Sequence, residues 1–142
     1  MEIADVRKRV LEIIDHAKRH ADTRRERNDL AKRAFERFLD AIAVPVVRQV
    51  ASVLRAEGHL FTVSTPAGSV RMASDRHAVD FVEIALDTSG YRPRVVGHTS
   101  RGGRGGNVTE YEQTVGNGDP STLTEEDVLT YVLRELEVFV EK

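Results

Sequence analysis

Hydrophobic positions recur at helical spacing through the first 57 residues and at alternate positions after them. Ile3, Val6, Val10, Ile13 and Ala17 step by 3, 4, 3 and 4, the spacing of a coiled-coil seam. The pattern lapses between Lys18 and Asp29, where Ala21 is the one apolar residue and the continued heptad puts His20, Arg24 and Arg27 on the seam. Thr23 followed by Glu26 matches a capping box, so this stretch reads either as one long exposed helix or as two helices broken near residues 21–23. Helical spacing returns at Leu30, Ala31, Ala34, Phe35, Phe38, Leu39 and Ile42. Pro45 cannot donate a backbone hydrogen bond, which predicts a kink or a restart. Val46, Val47, Val50, Val53 and Leu54 carry the next segment, and Gly58 suits its end. An unbroken helix over residues 3–43 would run about 60 Å at ~1.5 Å per residue, longer than a domain of this size. Residues 1–29 are therefore expected to project as an arm or to pair with another helix.

From His59 the period becomes 2. Strands are expected at residues 59–65, 69–73, 77–87, 94–100 and 108–115, with breaks at 66–68, 74–76, 88–93 and 101–107. No break is long enough for a crossover helix, so neighbouring strands are antiparallel. The third segment is apolar on both faces apart from Asp80 and Glu83, which predicts a central place in the sheet. Glu110 and Glu112 give the last strand one wet face. After a loop at residues 116–120, Thr124 and Asp127 form a capping pattern, and Glu125 and Glu126 favour the positive end of a helix. Its stripe of Val128, Leu129, Val132, Leu133, Leu136, Phe139 and Val140 is expected to cover one face of the sheet. The expected fold is a single α+β domain over residues 1–142, with long N-terminal helical segments, an antiparallel meander of four or five strands and a C-terminal amphipathic helix packed on the sheet.

Composition narrows the function. Hydrophobic residues make up 40% and charged residues 31%, a globular balance with enough apolar surface for a core. The absence of cysteine removes disulfides, thiolate metal sites and cysteine nucleophiles. No apolar run forms a secretory signal or approaches the ~20 residues of a membrane span, so a cytoplasmic protein without a membrane partner is expected. The net charge of −2 divides unevenly: residues 1–57 carry +3, residues 58–106 carry +2 and residues 107–142 carry −7. The acidic end suits basic surface of the same fold or of a second copy. The overall balance counts against a dedicated nucleic-acid binder, which is usually basic.

The most distinctive local feature is the run Arg101, Gly102, Gly103, Arg104, Gly105, Gly106. Glycine lets backbone N–H groups converge on an anion, and guanidinium groups add bidentate phosphate contacts. Arg92 and Arg94 are expected on a nearby hairpin. The run lacks the Lys-Ser/Thr pair of a phosphate loop, joins two strands, and holds no aromatic for base stacking. The bland alternative is a mobile hairpin loop kept soluble by arginine. His16 and His20 stand four apart with Glu12 one turn earlier, a spacing that can hold a metal, but Lys18 and Arg19 between them oppose a cation. No metal and no cofactor is assigned. His98, Ser100 and Asp87 supply the residue types of a hydrolytic triad without a nucleophile elbow. Asp80 interrupts an apolar strand and needs a partner, with Arg71 and Arg76 in range. The basic helical segment with Lys18, Arg19, Arg24, Arg25 and Arg27 could meet phosphates or simply stay solvated.

These observations favour a non-enzymatic protein-interaction module that works as a homodimer through the coiled-coil seam at Ile3, Val6, Val10 and Ile13. The alternative is a phosphate- or nucleic-acid-binding protein, or one with an acidic protein partner, that uses the Arg-Gly hairpin loop with Arg92 and Arg94. An enzyme ranks last, because no paired carboxylates, metal motif or nucleophile signature supports one.

Overall fold

The computed structural model describes residues 1–141. Helix α1 spans Ile3–Phe38, and a wide π-type turn at Leu39–Ala43 leads into α2, Val44–Ala56. Five strands follow: β1 (Phe61–Ser64), β2 (Val70–Ser74), β3 (Phe81–Asp87), β4 (Arg94–Gly102) and β5 (Val108–Thr114). Helix α3, Glu125–Val140, ends the fold. The strands form one antiparallel meander in the order β1-β2-β3-β4-β5, so β3 is central as its two apolar faces imply. The whole is the α+β arrangement expected.

Helix α1 runs without a break through residues 18–29, which decides between the two alternatives. That stretch has no Gly or Pro, and Asp15–Arg19 and Asp22–Arg25 ion pairs at 2.5 and 3.7 Å bridge successive turns on its surface. Thr23 is one more helical residue; its capping role is not used, because the turn before it already supplies carbonyls. Pro45 sits in the first turn of α2, just beyond the wide turn, where the Val44 amide bonds to the Leu39 carbonyl five residues back. A proline ring clashes with the carbonyl four residues earlier, and the wider turn makes room for it.

One sheet face carries the core. Phe61, Val70, Met72, Val82, Ile84 and Val95 project from it against Phe35 and Phe38 at the end of α1, Val46, Val47 and Val50 of α2, and Val128, Val132, Leu136 and Phe139 of α3. No helix among the described residues covers the other face, and polar pairs dress it instead. Arg71 lies 4.0 Å over the Phe81 ring and 3.4 Å from Glu83, His98 stacks on Phe81 at 5.8 Å, and Arg94 reaches Asp87, Glu112 and Thr114. That face is not an apolar surface waiting for a partner.

Three expectations are corrected. The third strand starts at Phe81 rather than residue 77: the Ser74 hydroxyl accepts the amides of Arg76 and His77, and the Asp80 amide donates to the His77 carbonyl, which closes a turn. On α3 the buried stripe includes Tyr131 and Glu135, whereas Leu133 and Val140 lie 52% and 38% exposed. Arg71, a candidate partner for Asp80, pairs instead with Glu83, and buried Asp80 takes the amide of Gly102 at 2.8 Å. The α3 cap is as expected, with Thr124 and Asp127 exchanging side-chain and backbone hydrogen bonds.

Candidate functional site

The arm is exposed along its whole first half. Residues 1–20 are all solvent-accessible, and the first buried position of α1 is Ala34. Ile3, Val6, Val10, Ile13 and Ile14 are 86, 45, 48, 68 and 45% exposed, and at ~100° per residue they share one side of the helix. A cluster of large aliphatic side chains on a helix with no packed neighbour among the described residues is costly in water.

The sequence places Arg92 and Arg94 near the Arg-Gly run, and the structure separates them. Arg94 opens β4 and Arg101 lies seven residues further on, about 23 Å away at ~3.3 Å per residue and on the opposite face of the sheet. Arg94 is tied to Asp87, while Arg101 lies on the side of Tyr111. The run itself is a tight turn at Arg104–Gly106 with Gly105 and Gly106 at φ 71° and 78°, a backbone that only glycine adopts easily. It closes through the Gly103 amide on the Asn107 carbonyl at 2.6 Å. Because the Gly102 amide is directed at the Asp80 carboxylate, an internal anion already occupies part of the donor array that an outside phosphate would need.

His16 and His20 meet edge to face, 4.6 Å between ring centres, and no group of three or more His, Cys, Asp or Glu among the described residues could hold a metal ion. His98 stands on the open sheet face beside Glu110 at 3.9 Å, and Asp87 is engaged by Ser89 and Arg94, so the three triad residue types do not converge. The Ser89 hydroxyl and amide hold the Asp87 carboxyl below its ordinary range, with Arg94 adding to the effect.

Two features escape a reading of the sequence. Glu135 is buried at 4% exposure under α3, where Thr99 and Tyr111 donate to it at 3.1 and 2.7 Å and the Gln113 amide donates to its other oxygen. Tyr131 packs on Gly97 and meets the Thr99 hydroxyl at 3.3 Å. Burial pushes both phenols, Tyr131 and Tyr111, above their ordinary pKa. Glu135 lies seven residues after Val128, so helical period alone could have placed it inward. The second feature is a cleft of about 770 Å³ between the middle of α1 and the β3–β4 connection, lined by Arg19, His20, Arg24 and Arg27 on one side and Ser89 and Tyr91 on the other. Arg27 holds the connection with a hydrogen bond to the Tyr91 carbonyl at 3.5 Å, and its guanidinium lies 5.8 Å from the Tyr91 ring centre. No local signal joins residues this far apart in the chain.

Comparison with known proteins finds no matching family model, no matching curated protein and no matching solved structure.

Proposed function

We propose that this chain is a non-enzymatic interaction module that assembles as a homodimer through its N-terminal arm. The observation that carries the proposal is the exposed apolar stripe at Ile3, Val6, Val10 and Ile13, on a helix that extends beyond its own domain. A second copy is the favoured occupant because the heptad steps are self-complementary. Parallel pairing also sets Glu2 of one arm opposite Arg7 of the other, an opposite-charge pair at the flanking positions of the seam. Covering the exposed parts of these four side chains and of neighbouring Ile14 is worth about 6 kcal/mol per arm, at ~2 kcal/mol for each full side chain. Two arms then supply about 12 kcal/mol against an association cost of ~4–15 kcal/mol, so the assembly is expected to be weak and concentration-dependent. The Arg-Gly loop is the weaker basis for a function, because Asp80 already engages the Gly102 amide.

The test is light scattering across a concentration series for the wild type and for Val10→Asp. A wild-type dimer that becomes a monomer in the variant, with unchanged circular dichroism, supports arm pairing. The seam residues are β-branched at both core positions, which tolerates three strands, so a trimer would keep arm pairing and correct the stoichiometry. A wild-type monomer at several hundred micromolar would sink the proposal. The cysteine-free chain allows a second check, since Val10→Cys is expected to form a disulfide-linked pair in an arm-to-arm assembly. If Val10→Cys links only in the presence of Val53→Cys, the arm docks instead on the apolar groove between α2 and α3, where Val53 and Leu133 are exposed.

A further inference from the structure

We infer that the cleft between α1 and the β3–β4 connection binds the phosphodiester backbone of single-stranded nucleic acid, a role independent of arm pairing. Three observations converge there. Arg19, Arg24 and Arg27 face it from successive turns of α1, spanning about 12 Å at ~1.5 Å per residue. An adjoining hollow of about 540 Å³ shares Arg27 as a wall and adds Arg92, so positive charge continues past the first hollow; Arg94 also lines it, with its guanidinium tied to Asp87, Glu112 and Thr114. No carboxylate lines the first hollow, and Asp119 is the one acid lining the second.

The neutralisation of these groups is incomplete. Arg19 is paired with Asp15, and Arg94 with Asp87 and Glu112. Arg24, Arg27 and Arg92 make no ion pair among the described residues. The protein as a whole carries −2, so general basicity does not account for this concentration of positive charge. A concave surface of one sign focuses its field and gathers the opposite charge.

Shape selects the class of anion. The arginines of the cleft are spread along the helix rather than gathered at a point. That suits a chain of phosphates. Tyr91 supplies what the Arg-Gly loop lacks: an aromatic ring, 83% exposed, held at the edge of the track by Arg27. A base can stack on such a ring whatever its identity, and a duplex does not offer its bases that way. The overall acidity, which counted against a dedicated binder, is concentrated in residues 107–142, outside the first hollow.

The test is fluorescence anisotropy of a labelled single-stranded 15-mer with the full-length chain at 50–300 mM salt, run for four proteins. The wild type is expected to bind with an affinity that falls as salt rises. Arg24→Gln with Arg27→Gln is expected to weaken binding at least tenfold and to reduce the salt slope by about 1.4, at ~0.7 per lost phosphate contact. Tyr91→Ala is expected to weaken binding at least fivefold, as for loss of ~1 kcal/mol of stacking. Arg101→Ala with Arg104→Ala is expected to bind as the wild type does. All these side chains lie outside the core, and circular dichroism confirms that each variant is folded. Absence of wild-type binding at 50 mM salt overturns the inference, as does full binding by the Arg24/Arg27 variant. A duplex bound as tightly as the single strand also overturns it, because Tyr91 would then have no base to stack on.

Discussion

Gly97 lies under the ring of Tyr131, and a methyl group added there tests how tightly α3 is seated on the sheet. An alanine Cβ at position 97 would stand 1.9 Å from Tyr131 Cζ, 2.1 Å from its hydroxyl oxygen and 2.4 Å from Cε2. Ordinary carbon contacts begin at ~3.5 Å, so the ring must retreat by about 1.5 Å. It has little room, because Tyr131 is 4% exposed and sits between the sheet and its own helix. Overpacking of this kind costs ~1–3 kcal/mol, and loss of the Thr99–Tyr131 hydrogen bond adds ~1 kcal/mol. The expected loss for Gly97→Ala is therefore about 3 kcal/mol. Urea unfolding followed by far-ultraviolet circular dichroism reads it as a fall in midpoint of about 1–3 M, for a slope of ~1–3 kcal/mol per molar. Chain concentration is held fixed because assembly would shift the midpoint. In a Tyr131→Leu background the same substitution is expected to cost less than ~1 kcal/mol, a coupling of about 2 kcal/mol between the two positions. Gly97→Ala within ~0.5 kcal/mol of the wild type, or an equal loss in both backgrounds, would refute the packing argument.

Glu135→Ala strands the donors of Thr99, Tyr111 and Gln113 and is expected to cost about 3 kcal/mol, whereas Glu135→Gln costs less because the Gln113 amide can turn to accept; equal midpoints for the two variants in urea would contradict this. Tyr111 and Tyr131 have pKa values raised above 10.0 by burial, so in the folded state they keep protons that the unfolded chain loses. Their contribution to stability is complete below pH ~10 and is lost as pH rises further; thermal melts whose midpoint is unchanged from pH 9 to 11 would argue against it. Asp87, held below its ordinary pKa of 3.8, acts in the opposite direction, and its contribution is lost only as pH falls below that value; Asp87→Asn is expected to flatten the acid limb of the stability profile, and an unchanged limb would exclude it.

Period and punctuation made most of the architecture legible. The change from helical spacing to alternation near His59, the doubly apolar third strand and the Thr124 cap all point to elements that the fold contains. The errors lie where a tertiary contact outweighs local preference. Leu133 reads as core until α3 is rotated to seat Tyr131 on Gly97, and the three donors that β4 and β5 set around Glu135 have no counterpart in any spacing along the chain. Local hydrogen bonding misled at Ser74, whose hydroxyl takes the amide of His77, which the strand pattern had assigned to β3, together with that of Arg76 in the break before it. The candidate sites divide the same way. The arm stripe is one-dimensional and was visible as a spacing. The cleft needs Tyr91 brought across to Arg27, 64 residues away, and no pattern along the chain encodes that meeting.

The wide turn at Leu39–Ala43 acts as a phase correction, equivalent to one residue spliced into a helix. Each residue of an α-helix turns the chain by ~100°, so in an uninterrupted helix the buried positions Val46, Val47, Val50 and Ala51 would point roughly 140° away from Ala34, Phe35 and Phe38. Absorbing one extra residue in the π-type turn brings that difference down to roughly 40°, so both segments face the same sheet. The two halves of the rod are therefore not interchangeable with respect to length. A chain lacking one residue within the wide turn would keep both apolar faces aligned in an ordinary helix. A chain lacking one between Ala17 and Arg27 would swing the arm's stripe by ~100° about the rod and aim it at a different neighbour, with the domain itself unaltered.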